Sequence, residues 1–408
     1  MRPGGRPPTS DFWPRTPSTR VVPVAAELSP VVRLLRDLVA LPSVNPAFLP
    51  AGDPRTGESR VADFLVATAA TAGLDVELQP VAPGRQNVMA RLRPTGRTRR
   101  RILLAPHLDT VGEPALDPQL SPEIARGRLW GRGACDTKGC VAAMLSALLR
   151  VAGSGARPAE TELVFLGLVD EENGQIGSRT YATLAHKPEY RAQLAVVGEP
   201  TRLEVVTAHK GDVWLRLRTH GKAAHGATPH LGINAVHRMA RVVDVLETTY
   251  RAQLSRRSHP LLGSPTINVG SIRGGTQPNI VPAECVVAID RRTLPGETES
   301  AVRREIAAVL RKAGLAVTFD NLRAAPCPAL ETDPALPEVA ALLAAAGRGH
   351  AIGAHYFCDA APLSAGGIPA VVFGPGDIAQ AHTSAEWISI ASLERGTRIL
   401  ERFLRAQP

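Results

Sequence analysis

Three separate apolar runs in this 408-residue chain end in groups that bind metals or move protons. ILLAPHLDT supplies His107 and Asp109, ELVFLGLVDEEN supplies Glu171 and Glu172, and QLAVVGEPT supplies Glu199. A short apolar run bounded by polar residues reads as a buried strand, and functional groups in open α/β sheets gather beyond the carboxyl ends of the strands. These side chains are therefore expected to converge. Two more candidates join them: Asp136 in GRGACDTKG, just before an apolar helical stretch, and His382 in GPGDIAQAH, after another apolar run. Nitrogen and oxygen ligands without a thiolate pair suit a hard or borderline divalent ion. Zinc is the leading candidate, with cobalt or manganese as alternatives.

Taken singly, each residue has an ordinary explanation. Asp136 suits a helix N-cap, His107 and His382 suit loop histidines, and Glu171 and Glu172 suit a solvated strand end. Their joint occurrence at strand ends favours the metal reading. Cys135, beside Asp136, is a weak candidate ligand because buried free cysteine is common and carboxylates suffice.

The motifs PHLDTV, GRGACDTKG, DEENG, GEPT, HGKAAHGATPHLGINA, GGTQPNIVPAE and GPGDIAQAH resemble those of a family of zinc-dependent amidohydrolases. That family includes acetylornithine deacetylase, succinyl-diaminopimelate desuccinylase, aminoacylase and glutamate carboxypeptidase. The resemblance runs from about residue 30 to the C-terminus in motif order and spacing. It implies a two-metal hydrolase in which Asp136 bridges the ions, His107 and Glu199 complete one site, and Glu172 and His382 complete the other. It further implies Asp109 as the carboxylate that orients the His107 imidazole and Glu171 as the general base. His225 would stabilise the oxyanion in the active site of a second subunit, and Asn279 and Arg292 would meet the substrate carboxylate. Arg292 has an alternative, an ion pair with Asp290 or Glu297. Gly366 and Gly367 are expected to give close backbone approach near the substrate. GPGDIAQAH and GEPT favour the acetylornithine deacetylase branch. A desuccinylase, a general aminoacylase or a dipeptidase or carboxypeptidase of the same chemistry stays open.

The elements that must position these residues fall into three stretches. Residues 26–204 alternate helical and strand signals, as an α/β domain does: VVRLLRDLVALPSV, SRVADFLVATAATAGL and CVAAMLSALLRVA read as helices. Residues 205–320 read βαββαβ, the ferredoxin-like order, with VVTAHKGDVWLRLRT as the first strand and INAVHRMARVVDVLETTYRAQL as one long helix. Residues 321–408 return to helix and strand, so the metal-binding catalytic domain is discontinuous. The expected fold is a two-domain α/β protein, with a ferredoxin-like dimerisation or lid domain inserted at 205–320. A homodimer through that insertion follows from the resemblance.

Composition narrows the classes. A hydrophobic fraction of 44% provides ample core, and no run of 18 or more uninterrupted apolar residues indicates a membrane span. Five cysteines, Cys135, Cys140, Cys285, Cys327 and Cys358, without a CxxC pair argue against a disulfide framework and for a reducing cytoplasm. The net charge of +9 raises nucleic-acid binding. With only 4% aromatic residues and no aromatic-interleaved basic stripe, that role is disfavoured; the resemblance implies a small N-acyl amino acid as the partner. The first 25 residues, rich in Pro and Arg and lacking an apolar core, read as a disordered extension rather than a signal peptide. A non-catalytic scaffold would need none of the ligands, and no GxSxG elbow supports a serine hydrolase.

Overall fold

The computed structural model describes residues 28–112 and 120–408. The extension expected over residues 1–25 lies outside the described residues.

The chain opens with helices α1 (Pro30–Val39) and α2 (Ser59–Thr71), strands β1 (Asp75–Ala82), β2 (Arg85–Leu92) and β3 (Arg100–Pro106), and the short β4 (Glu123–Ala125) and β5 (Arg128–Trp130). Then come α3 (Lys138–Gly153), β6 (Thr161–Gly167), α4 (Ile176–Leu184), β7 (Leu194–Gly198) and β8 (Val206–His209). The inserted unit contains β9 (Gly211–His220), α5 (Ala235–Val245), α6 (Arg251–Leu254), β10 (Thr266–Gly274), β11 (Glu284–Thr293), α7 (Glu299–Lys312) and β12 (Thr318–Asn321). The return contains β13 (Leu330–Glu331), α8 (Pro337–Ala346), β14 (Ile352–Ala354), α9 (Ala360–Ala365), β15 (Ala370–Val372), β16 (Trp387–Ser389) and α10 (Ile390–Arg405).

Nine strands form the large sheet in the order β1-β2-β6-β3-β7-β15-β8-β13, with β14 on β8. Its centre, β6-β3-β7-β15, is parallel. Every residue of β6 and of β7 is buried, because helices cover both faces and no solvent-facing alternation is needed. On one face α1, α3 and α10 pack with Leu35, Val141, Leu145, Leu400 and Phe403 in the core. On the other, α4 and α9 pack around Tyr181, Leu363 and Ile368. Helix α3 is buried from Lys138 through Leu148, as its apolar residues on nearly all sides require.

The inserted unit is the expected βαββαβ, an antiparallel sheet of order β10-β11-β9-β12 with its own core of Leu215, Leu217, Met239, Val287 and Ile306. Two expectations need adjustment. VVTAHKGDVWLRLRT is two strands: β8 pairs with β13, β14 and β15 in the large sheet, and only β9 enters the small one. The change of sheet falls at Gly211, where a Cβ would lie 2.5 Å from the Cys327 carbonyl oxygen. The long helix of this unit is also interrupted, by a π-helical segment at Leu246–Tyr250 between α5 and α6.

Candidate metal centre

Strand register brings the first residues together. Pro106 at the end of β3 stands opposite Gly198 at the end of β7, so the next residues, His107 and Glu199, emerge side by side. Strand β6 flanks β3 on its other side, and the chain beyond it passes Leu168, bridged to His107, before delivering Glu171 and Glu172. Asp136 arrives from the loop before α3. Gly133 in that loop has φ +79°, and a Cβ there would lie 2.9 Å from the Thr110 side chain and 3.0 Å from Lys138, so the tight path needs glycine. His382 comes from the loop after β15, also at positive φ.

The five side chains form two overlapping groups. His107, Asp136 and Glu199 make one, and Asp136, Glu172 and His382 the other, each with one ligand atom per residue within 4.8 Å of the rest. Asp136 is shared through different atoms: Oδ1 lies 3.1 Å from His107 Nε2, and Oδ2 lies 3.2 Å from His382 Nε2. His382 Nε2 is also 3.1 Å from Glu172 Oε2. Glu199 Oε1 is buried with no hydrogen-bond partner and faces His107 Nε2 across 3.8 Å. An orphaned carboxylate oxygen beside an imidazole nitrogen is what an ion coordinated by both would leave. The donor set fits two divalent ions, with Asp136 common to both ligand groups.

Electrostatics agree. In the metal-free chain burial pushes the carboxyls of Glu171 and Glu199 well above the usual range. Burial, reinforced by the Asp136 charge, raises Glu172 to about 7. For Asp136 burial is outweighed by hydrogen bonds from His107 and His382, which hold it below the usual range. His382 is raised to about 10, chiefly by its bond to Asp136. So many acids in one low-dielectric cleft require compensating positive charge.

Asp109 organises the floor of the site. His107 Nδ1 lies 3.0 Å from the Asp109 carbonyl oxygen and 3.5 Å from its carboxylate. Asp109 Oδ1 accepts the Glu171 N–H, and Oδ2 accepts the Glu172 N–H and the Asn45 amide. Asn45 also donates to Asp170, which pairs with Arg85, itself bonded to buried Glu58.

Other expected residues are placed elsewhere. Arg292 pairs with Asp290 at 3.0 Å and stacks its guanidinium over the Phe357 ring. Asn279 lies in an exposed loop of the inserted unit, its carbonyl accepting the Gly226 N–H. His225, in the same unit, is exposed, and its Nδ1 accepts the Ala227 N–H. Gly366 and Gly367 are a correction. They join α9 to the start of β15, at the opposite end of the sheet from Glu199, and the close approach at Gly366 is to Ala182 of α4. Cys135 Sγ donates to the Asp377 carbonyl and belongs to neither ligand group.

The sequence reading missed two buried acids at this site. Asp359 accepts the Ser178 hydroxyl at 2.5 Å, leaves Oδ2 unpartnered, and is raised to about 7 by burial. Glu386 binds the loop that carries Asp136. Only the spacing of Glu386, four residues after His382, offered a signal.

The profile of the Peptidase family M20/M25/M40 matches residues 103–406. The chain is 31% identical over 385 residues to the acetylornithine deacetylase of Proteus mirabilis (strain HI4320), covering 90% of this chain and 94% of that protein. The fold is similar to that of an M20 family metallo-carboxypeptidase from Sulfolobus solfataricus, with TM-score 0.73, 19% identity and coverage of 93% and 99%. It is also similar to a dinuclear metal-binding M20 peptidase from Bacillus subtilis, with TM-score 0.65, 14% identity and coverage of 92% and 96%.

Proposed function

Because the chain belongs to the Peptidase family M20/M25/M40 and is a metal-dependent hydrolase, we propose that it removes the acyl group from an N-acyl amino acid, with N-acetyl-ornithine the first candidate substrate. The observation that carries the chemistry is the shared carboxylate of Asp136, each oxygen turned to a different histidine. The likeness to a deacetylase at 31% identity favours that substrate over its N-succinyl and dipeptide alternatives.

In this reading His107, Asp136 and Glu199 hold one ion and Asp136, Glu172 and His382 the other, with zinc the expected metal. When bound, such ions supply Lewis acidity toward the amide carbonyl and lower the pKa of water. Glu171 takes a proton from the attacking water and returns it to the departing amine nitrogen. Its buried setting suits that task, since burial favours the protonated carboxyl that must donate. Asp109 fixes the ring of His107 and the backbone of Glu171. Arg292 would have to leave Asp290 to meet a substrate carboxylate.

The inserted unit is proposed to pair with a second copy, bringing His225 to the other subunit's cleft as oxyanion donor. Leu231, Ile233, Ile272 and Ile280 support this, as large apolar side chains exposed on that unit. No helix among the described residues is long and apolar enough to cross a membrane, and a cytoplasmic location is part of the proposal. Turnover of purified enzyme on N-acetyl-ornithine, N-succinyl-diaminopimelate and simple acetylated amino acids tests the substrate. Preference for the first is expected, and no hydrolysis of any N-acyl amino acid would overturn the reading.

A further inference from the structure

Two chain segments some 250 residues apart are knitted together by one buried acid. The Glu386 side chain is fully buried, and its two oxygens accept from donors of the loop leading to Asp136. Oε1 accepts the N–H of Cys135 at 2.8 Å and of Asp136 at 2.9 Å. Oε2 accepts the N–H of Gly133 at 3.0 Å and Nη1 of Arg132 at 2.8 Å. Arg132 Nη2 reaches on to the Thr383 carbonyl at 3.2 Å, and the Gly131 N–H donates to the Glu386 carbonyl at 3.0 Å.

These bonds fasten residues 131–136 to residues 383–386; Asp136 lies within the first segment and His382 immediately precedes the second, and both belong to one ligand group. His107 and Glu199 stand directly on the ends of β3 and β7 in the central sheet. His382 has no such footing: it sits in a loop with its side chain 56% exposed. Its ring contacts Glu172 and Asp136 themselves.

Resting on the two-metal reading above, we infer that Glu386 is a positioning residue that sets the His382–Asp136 distance and thereby the affinity of the ion held by Asp136, Glu172 and His382. Four charge-assisted hydrogen bonds to one buried carboxylate are individually strong and jointly rigid. They hold the peptide of Asp136 and, through the chain from Glu386 back to Thr383, the neighbour of His382. The other ion loses less when Glu386 is changed, because two of its three ligands do not depend on this link.

The substitution that tests this is Glu386→Gln. It keeps the volume of the side chain but replaces one acceptor oxygen with an NH2 group facing donors. Zinc binding to the full-length protein, followed by equilibrium dialysis, reads the two dissociation constants separately. Wild type should bind two ions. The variant should bind the first with an affinity much less changed and the second about 10- to 100-fold more weakly, the usual effect of removing a group that orients a ligand. Added zinc should restore the second ion and activity with it. Failure of the wild type to bind two ions would sink the two-metal reading itself. Two ions bound by wild type, with both constants unchanged in the variant or both weakened in equal proportion, would overturn the role of Glu386 alone. Urea unfolding of the metal-free proteins supplies a control, since a purely structural role lowers the midpoint without altering the ratio of the two constants. Should Glu386→Gln fail to fold, Arg132→Gln removes the two guanidinium bonds and leaves the three amide bonds to the carboxylate. It should weaken the second ion selectively to a smaller degree, and no selective change there would equally overturn the inference.

Discussion

Asp109 Oδ1 accepts the backbone N–H of Glu171 at 3.0 Å, so the carboxylate beneath His107 also anchors the peptide that bears the proposed base. Its other oxygen holds the Glu172 N–H. The backbone of both glutamates is thus fixed independently of their side chains, and truncating either side chain should report what that side chain does. Glu171→Ala is expected to retain both metals and lose at least about 10²-fold in turnover, the usual contribution of a positioned acid or base. Glu172→Ala is expected to lose one ion. Metal analysis alongside kcat checks the pair, and equal metal content in the two variants would refute the division of roles.

Metal affinity should depend on pH with a definite sign. In the metal-free chain the bond to Asp136 raises His382 to about 10, and burial raises Glu172 to about 7. Below those values each group holds a proton that an incoming ion must displace. Zinc binding at neutral pH should therefore release protons, and the ion in the group containing these residues should weaken progressively as pH falls from about 8 to 6. Calorimetric titration in buffers of different ionisation enthalpy measures the release. Binding without proton release would contradict the assignment of His382 as a ligand.

His209 gives the fold its own acid sensitivity. It is fully buried at the end of β8, with Nδ1 bonded to the Lys210 carbonyl and Nε2 unpartnered, and burial lowers its pKa to about 4. An unfolded histidine titrates near 6.5. Between about pH 6.5 and 4 the unfolded chain takes up a proton that the folded chain refuses, so stability is lost as pH falls through this window. Each unit of separation is worth about 1.4 kcal/mol. His209→Gln should flatten the fall in urea midpoint between pH 7 and 4.5. An unchanged slope would assign the sensitivity to other groups.

The proposal of a shared active site can be tested by mixing inactive subunits. His225→Ala should remain fully metallated yet lose about 10²- to 10³-fold in turnover, as loss of an oxyanion donor does. Mixed with Glu171→Ala after subunit exchange is confirmed, it should regain activity. One site of each mixed dimer then combines an intact metal centre with an intact His225 from the other chain. Mixed dimers that stay inactive would place His225 within its own chain's structure.

Much of the site was legible because β3, β6 and β7 are strands buried at every residue but Arg100, whose apolar runs end where the functional residues begin. The break between β8 and β9 was not legible, because apolar alternation continues past Lys210. The cause is crowding at Gly211 by residues more than 80 positions away. The small sheet β16-β5-β4 escaped notice because strands of three residues have too few positions to show a period. Gly366 and Gly367 illustrate a different limit. Sequence signals that a glycine permits close approach, but only the fold shows that the approaching group at Gly366 is Ala182. Glu386 offered only its spacing from His382, and its contacts with residues 132–136 appear only in the fold.

The central claim is that one carboxylate, Asp136, serves two ions. Metal analysis of the purified protein and of Asp136→Ala, each dialysed against zinc and then against metal-free buffer, tests it most directly. The account predicts about two equivalents in the wild type, as in two-metal hydrolases, and loss of both in the variant, with activity abolished by chelation and restored by zinc or cobalt. A variant that retains either ion at wild-type affinity, or a wild type whose activity survives complete chelation, would contradict it.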